Sequence, residues 1–152
     1  MSAIRMRKML DGPLPAPTAP SGISLQPFPK SDPLRLHELL VSAYAQGGGS
    51  VGDFDHWFEP LVTDAEFDPE LMLIAVDATG NPLGLAHCWT SGFLKDLVVH
   101  PDYRNRKIGS WLLYQAFATI KMRGLDQLDL KVLADNIAAR RFYARHGMVE
   151  VA

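Results

Sequence analysis

An apolar strand, a basic turn and a long apolar helix follow one another within residues 93–120. Pro101 ends the strand because proline has no backbone N–H to donate. Three basic residues, Arg104, Arg106 and Lys107, then precede the helix. The first N–H groups of a helix lack partners within the helix, and the helix dipole adds positive potential there. The turn therefore predicts a phosphate or pyrophosphate site at the start of the helix.

The segment after this helix predicts a strand that lies parallel to the strand before it. Leu128, Leu130 and Val132 alternate with polar residues, as expected of a half-buried strand. Parallel neighbours need a crossover, and the apolar helix supplies one. Two earlier apolar runs, 71–76 and 83–89, are separated by a short turn and predict a hairpin. The sequence thus predicts an α/β fold with a mixed, mostly antiparallel twisted sheet that is flanked by helices.

Two further helices are predicted before the sheet. Pro33 suits a first helical position, with Ser31 or Asp32 as the cap, and this helix is expected to end at the glycine run 47–49. Asp53 can cap a second, acidic helix. These two helices are joined by a glycine-rich connection.

The N-terminal residues 1–21 are rich in proline and predict an arm that is flexible or packs on a partner. The remainder, residues 22–152, is predicted to be the folded domain. A chain of 152 residues with 47% hydrophobic content suits a single core. The formal net charge of -2 argues against nucleic acid as a partner, because domains that coat nucleic acid are usually strongly basic.

Cysteine usage and apolar runs indicate the expected compartment. Cys88 is the single cysteine, so neither an intrachain disulfide nor a multi-cysteine metal site is possible. No apolar run approaches the ~20 residues that span a bilayer. We therefore expect a cytoplasmic protein that holds no metal and does not enter a membrane.

Three segments resemble the GNAT acetyltransferases, which use acetyl-CoA: 94–99, 104–109 and 136–147. The turn of that family has Arg or Gln, two residues, Gly, one residue, and Gly or Ala. Arg104 and Gly109 match this pattern, and a lysine stands at the first Gly. The last helix of the family has an Asn, an Ala three residues later and a Phe-Tyr pair after that. The matching residues here are Asn136, Ala139, Phe142 and Tyr143. The likeness covers roughly residues 22–150 and implies the GNAT fold, with a parallel strand pair around the cofactor slot.

The resemblance implies an acetyl-CoA site along the strand, the turn and the last helix. Backbone groups of the strand would pair with the pantetheine arm and supply the donor for the developing oxyanion. Tyr143 would be the catalytic acid near the CoA sulfur. The implied cofactor-binding residues are Leu97, Val98, Val99, Arg104, Asn105, Arg106, Lys107, Ile108, Gly109, Ser110 and Asn136.

Two of these residues keep alternative interpretations. Lys107 could obstruct the approach of a phosphate, because glycine lets the backbone come close, or it could add charge to the site. The basic turn as a whole could also be a solvated surface. Asn136 could be a cofactor contact, a helix cap, or both.

The implied reaction moves an acetyl group from acetyl-CoA to a primary amine by direct attack through a tetrahedral intermediate. A small cationic amine, an amino sugar or a lysine side chain would suit as the acceptor, whether in a small molecule or a peptide. The alternative is a non-catalytic acyl-CoA-binding or regulatory module that keeps the fold. Lys107 and the lack of an assigned base favour that alternative.

The acceptor site is expected between the two N-terminal helices, with Tyr44 and Trp57 as substrate residues. The acidic run 53–70 could attract a cationic amine, or it could be a solvated face. A base must accept the proton of the amine directly or through water. The candidates are Asp96, His87, His100 and His56.

The C-terminus leaves a sheet edge to be covered. In the family, two strands follow the last helix, whereas residues 148–152 suffice for one. An unpaired edge invites pairing with another chain. The sequence predicts that a partner subunit, in a homodimer, or the proline-rich arm covers this edge.

Overall fold

The computed structural model describes residues 2–152, which form seven strands and four α-helices. The three predicted helix caps are present, since Asp32, Asp53 and Asn136 each accept a hydrogen bond from a backbone N–H of the first turn. In chain order the elements are β1 Ala3–Met9, β2 Ser24–Gln26, α1 Pro33–Tyr44, α2 Phe54–Thr63, β3 Met72–Val76, β4 Pro82–Cys88, β5 Leu94–Val99, α3 Ile108–Met122, β6 Gln127–Leu133, α4 Ile137–Arg145 and β7 Val149–Val151.

The strands form two antiparallel sheets that meet at one point. One sheet has the order β2-β3-β4-β5 and the other has the order β6-β1-β7. A single parallel bridge between Phe93 and Asp129 joins them, next to a hydrogen bond of 3.1 Å from the N–H of Asp129 to the carbonyl of Gly92. Beyond this point β5 and β6 diverge. The predicted α/β fold class is confirmed, and the parallel pair touches only at one end.

Two hydrophobic clusters lie on opposite faces of the β2–β5 sheet. The α3 side is the larger, and Leu112, Leu113 and Phe117 of that helix are fully buried in it. On the other face, α1 and α2 bury Leu36 and Trp57 against the sheet. The sheet is therefore covered by helices on both faces, which fixes the position of β5 between them.

The prediction of an N-terminal arm is wrong for residues 3–9, which form β1. It pairs antiparallel with β6 over its whole length and with β7 on its other edge, so it is the middle strand of its sheet. Met6 and Leu10 are buried, and the guanidinium groups of Arg5 and Arg7 contact the buried carboxylate of Asp129 at 2.7 and 2.8 Å. The sequence pattern did not predict β1, because the carboxylate of Asp129 that neutralises its two arginines is distant in the sequence.

The proline-rich segment that follows β1 also belongs to the domain. Leu14, Ala19 and Ile23 are partly buried against the α3 cluster. The folded domain thus begins at Ala3 and not near Gly22. We expected a partner subunit or the N-terminal arm to cover the sheet edge near the C-terminus, and β1, formed by residues 3–9 of that arm, pairs with both β6 and β7.

None of the helices in residues 2–152 is both long and apolar enough to cross a membrane. The same residues hold no group of three or more His, Cys, Asp or Glu side chains arranged to bind a metal ion.

Candidate active site

The divergence of β5 and β6 opens a cleft with a volume of about 920 Å³, which we call the interstrand cleft. Its walls are β5, β6, the turn before α3, the first turn of α3, α4, and the end of α1 with the glycine run 47–49. All of the predicted cofactor-binding residues line it except Arg106. The lining residues from that set are Leu97, Val98, Val99, Arg104, Asn105, Lys107, Ile108, Gly109, Ser110 and Asn136.

The turn before α3 has an unusual backbone. Asn105 and Lys107 both adopt the left-handed conformation, with φ of 64° and 67°. Asparagine tolerates this conformation well, whereas a lysine there carries a steric cost that glycine would not. Lys107 therefore holds a backbone conformation that glycine would adopt at lower cost, and it lines the interstrand cleft.

The N-terminus of α3 differs from those of the other three α-helices because no side chain caps it. The N–H of Trp111 is the first to reach a carbonyl of the helix, that of Lys107 at 3.1 Å. Residues 108–110, which carry the preceding N–H groups, line the interstrand cleft. Unpaired N–H groups beside a basic turn are a suitable site for an anionic group.

The two arginines of the turn make contacts within the protein. Arg104 donates from Nη2 to the carbonyl of Ala43 at 3.0 Å and from Nε to the carbonyl of Val99 at 3.3 Å. Arg106 lies over the ring of Tyr103, with 5.1 Å from Cζ to the ring centroid. Arg104 therefore fixes the turn to α1 and β5 while it lines the cleft, and Arg106 points elsewhere.

α4 contributes Asn136 and Tyr143 to the interstrand cleft. The side-chain oxygen of Asn136 accepts a hydrogen bond of 3.2 Å from the N–H of Ala139, so Asn136 caps α4 while facing the cleft. The hydroxyl of Tyr143 has no hydrogen-bond partner among residues 2–152. Burial, and secondarily the carboxylate of Asp96, raise the pKa of Tyr143 to about 12. The hydroxyl is thus a neutral proton donor at physiological pH.

A second cavity of about 270 Å³ lies between α1, α2 and β5, and we call it the α1–α2 pocket. The two predicted substrate residues, Tyr44 and Trp57, both line it. Trp89 and Asp96 line it as well, and Asp96 is 9% exposed. The walls combine apolar and polar side chains in about equal measure, and the one buried carboxylate of this lining is that of Asp96.

Asp96 is held by two hydrogen bonds. The hydroxyl of Tyr44 donates to Oδ1 at 2.6 Å, and Nζ of Lys95 donates to Oδ2 at 3.0 Å. Burial, and secondarily the Asp96 carboxylate, raise the pKa of Tyr44, which stays protonated. Within the described chain, Tyr44 and Lys95 alone line both the interstrand cleft and the α1–α2 pocket. They mark the junction of the two cavities.

A comparison with family models matches residues 34–148 to the acetyltransferase (GNAT) family. The chain belongs to the GNAT acetyltransferase family. The matched range includes the turn before α3, the three cavity-lining tyrosines and strands β3 to β5. The predicted family and the class of acyltransferase enzymes are confirmed.

Two similar proteins are longer than this GNAT domain. It is 34% identical over 140 residues to a mycothiol acetyltransferase of Clavibacter michiganensis subsp. michiganensis, which covers 88% of this chain and 44% of that protein. The crystal structure of a GCN5-related N-acetyltransferase from Sphaerobacter thermophilus superposes with a TM-score of 0.82 at 29% identity, and covers 98% of this chain and 48% of that one. The chain spans about half the length of the curated relatives it matches.

Ard1 from Thermoplasma volcanium shares the fold with this GNAT domain. Its crystal structure superposes with a TM-score of 0.70 at 18% identity, and the match covers 86% of this chain and 85% of that one.

The four candidate bases of the GNAT domain have different surroundings. Asp96 and His56 line the α1–α2 pocket, but His56 is exposed and bonded to Asp53 at 2.8 Å. His87 is buried, its Nε2 has no partner in residues 2–152, and burial lowers its pKa to about 4. His100 accepts a hydrogen bond from the N–H of Asp102 and lines neither cavity. Asp96 is thus the one buried candidate that reaches the pocket.

The acidic run 53–70 contributes few carboxylates to the lining of the α1–α2 pocket. Asp64 is its only carboxylate in the lining of the α1–α2 pocket, as the structure describes it, and it is exposed. Asp53 caps α2, Asp68 contacts Arg123 at 2.8 Å, and Glu66 accepts from the N–H of Ser91. Most of the run is therefore engaged in local structure away from the pocket.

Sequence reasoning missed Lys95 and Trp89 as site residues. The side chain of Lys95 reaches the junction because β5 contains an irregularity: Asp96 pairs with His87 and Leu94 with Cys88, so Lys95 has no partner on β4. Strand alternation alone does not reveal such a bulge. An adjacent Lys-Asp pair within a buried strand is the only signal that the sequence carried.

Proposed function

We propose that this GNAT domain transfers the acetyl group of acetyl-CoA to the primary amine of a small acceptor. The observation that carries the proposal is the meeting of two cavities at Tyr44 and Lys95. Tyr143 faces the interstrand cleft, and Asp96 faces the α1–α2 pocket. A proton donor and a carboxylate therefore lie on either side of the junction, where an acyl group and an amine could meet.

The interstrand cleft suits the co-substrate. The uncapped amides at residues 108–110 and the charge of Lys107 would hold the pyrophosphate. The edge of β5 that faces β6 is unpaired beyond the bridge at Phe93, as far as residues 2–152 show. An extended pantetheine arm could hydrogen-bond along that edge at residues 97–99. Asn136 would contact the same molecule from α4. Bound acetyl-CoA supplies the activated acyl group.

Asp96, Tyr143 and the backbone of β5 each have a role in the proposed transfer. Asp96 holds the acceptor amine in the α1–α2 pocket and takes up its proton, directly or through water. Backbone N–H groups of β5 stabilise the negative charge that develops on the acyl oxygen. Tyr143 donates its proton to the departing sulfur. Its raised pKa keeps that proton available across the physiological range.

The α1–α2 pocket limits the size of the acceptor group that can enter it. Its volume of about 270 Å³ admits a compact group, and Trp57 and Trp89 provide apolar walls around it. Asp96 would anchor a cationic amine at the buried end. An amino sugar and a lysine side chain fit these features as well as a simple amine does. The name of the similar mycothiol acetyltransferases adds mycothiol-related amines to the acceptors to be tested.

Binding and turnover together test the proposal. Calorimetry of the full chain with acetyl-CoA should show saturable binding, and thiol release should rise when an amine is added. A non-catalytic acyl-CoA-binding module would bind without releasing thiol on any amine of the panel. Absence of binding would contradict both proposals.

We also propose that the chain forms a homodimer and that it is located in the cytoplasm. Light scattering of the purified chain checks the first, with twice the mass of 16.8 kDa as the expected result. A monomer at micromolar concentration would contradict it. Fractionation of the source cells checks the second.

A further inference from the structure

Lys95 lies at the junction where the proposed acceptor amine and acyl group meet. Its Nζ is 3.0 Å from Oδ2 of Asp96, and its side chain lines both cavities. The side chain is 35% exposed, so it can move while staying near Asp96. An amine that the chain itself carries thus occupies the place proposed for the amine of the acceptor.

The backbone directs Lys95 to this place. The register between β4 and β5 shifts at this point, and Lys95 is the residue left without a partner between Leu94 and Asp96, which are both buried. A β-bulge of this kind re-aims a side chain away from the regular alternation. Lys107 and Lys131 line only the interstrand cleft. Lys95 is therefore the one lysine of the described chain with access to both cavities.

We propose that the domain acetylates its own Lys95. This inference rests on the proposed use of acetyl-CoA. The ammonium first loses one proton to solvent, with Asp96 beside it as the acceptor or relay. The neutral Nζ then attacks the thioester carbonyl carbon, so that the new C–N bond forms and the C–S bond breaks. The second proton leaves the nitrogen and the departing sulfur gains one from Tyr143, which solvent reprotonates. The products are Nε-acetyl-Lys95, CoA with a free thiol, and one proton.

The modification would change the charge of the junction. Acetyl-Lys95 is neutral, so Asp96 would lose its cationic partner and keep the hydrogen bond from Tyr44. The acetyl group would also occupy space that both cavities share.

Mass spectrometry of the full chain tests this inference. The protein is incubated with acetyl-CoA bearing a 13C-labelled acetyl group, without any amine, and digested at intervals. We expect labelling at Lys95 at least tenfold faster than at Lys30, an exposed lysine outside both cavities. The rate at Lys95 should not depend on protein concentration, because the reaction is intramolecular. The variant Lys95→Arg should lose the fast phase, whereas Lys30→Arg should retain it.

Further measurements on the same samples distinguish a failure of the self-acetylation proposal from a failure of the proposed function. Calorimetry with acetyl-CoA and thiol release with an amine panel report whether the proposed function holds, and the melting temperature shows whether Lys95→Arg folds. Binding and turnover without preferential labelling of Lys95 would overturn the self-acetylation alone. Absence of acetyl-CoA binding would overturn it together with the proposed function.

Discussion

The hydroxyl of Tyr44 donates a hydrogen bond of 2.6 Å to Oδ1 of Asp96 and so joins the end of α1 to β5. The same carboxylate accepts from Lys95 and contributes to the raised pKa of Tyr143. One buried acid therefore influences side chains of both cavities. This contact is the physical basis for treating the interstrand cleft and the α1–α2 pocket as a single site.

Tyr143→Phe should lower kcat by roughly 10²-fold or more, because general acid catalysis by a positioned side chain contributes about that much. The Kd for acetyl-CoA should change less than about threefold, since the ring that packs in the cleft is retained. Tyr114→Phe is the matched control, because Tyr114 lies on α3 outside both cavities and bonds His146 at 3.1 Å. Steady-state kinetics and calorimetry measure both quantities. Equal turnover in the two variants would remove Tyr143 from the mechanism.

Asp96→Asn should raise the KM for a cationic acceptor by about tenfold, since a lost charge-assisted hydrogen bond is worth roughly 1.5–3 kcal/mol. The Kd for acetyl-CoA should stay nearly constant, because Asp96 lines only the α1–α2 pocket. Asp64→Asn, at an exposed carboxylate of the same pocket, is the control and should change KM little. The account is wrong about the acceptor site if both variants have the same effect.

Lys107→Gly should raise the melting temperature by about 2–4 °C, which corresponds to roughly 1 kcal/mol in a domain of this size. The reason is that Lys107 has φ of 67°, a conformation that costs a residue with a Cβ atom about 1–2 kcal/mol. Lys107→Ala keeps the Cβ atom and should give no increase. Differential scanning calorimetry compares the three proteins. An increase in melting temperature in both variants, or in neither, would show that the left-handed backbone at Lys107 is not strained.

Arg7→Met combined with Arg5→Met should lower the melting temperature by roughly 5–10 °C, because the buried carboxylate of Asp129 loses both partners. The triple variant that adds Asp129→Asn should recover part of this loss. A triple variant that is no more stable than the double variant would contradict this prediction and indicate that β1 depends on packing alone. Thermal unfolding followed by circular dichroism measures each protein.

The ion pairs of Asp129 also predict that the stability of the fold decreases in acid. The hydrogen bond from Arg7, and then that from Arg5, lower the pKa of Asp129 below its ordinary value. The stabilisation is therefore complete above the unfolded-state pKa of about 3.9 and is lost as the pH falls through the lower folded value. The difference in melting temperature between the wild type and Asp129→Asn should be constant above about pH 5 and shrink below pH 4. A difference that is independent of pH would contradict the assignment.

Local signals of the sequence were sufficient for most of the fold. Caps at Asp32, Asp53 and Asn136 act within one helical turn, so their residue types predict them directly. The basic turn and the apolar face of α3 likewise depend on neighbours in the sequence. They predict an anion site at the start of α3 from neighbouring residues alone.

The features that escaped prediction depend on distant partners. β1 has basic residues on one face, and only the pairing of Arg5 and Arg7 with Asp129 makes that face compatible with a central strand. The position of Lys95 follows from a register shift between β4 and β5 that strand alternation does not encode. The Tyr44–Asp96 bond joins elements that are far apart in the sequence, so neither residue type reveals it.

The roles proposed for Asp96 and Tyr143 both depend on transfer of an acetyl group from acetyl-CoA to a small amine. Thiol release from acetyl-CoA, measured with a panel of amines on the wild-type chain, tests it most directly. We expect saturable, multiple-turnover release that requires both acetyl-CoA and an amine and exceeds the single equivalent per chain that Lys95 can consume, together with a mass increase of one acetyl group on that amine. Saturable binding of acetyl-CoA with no release above background on any amine would contradict it.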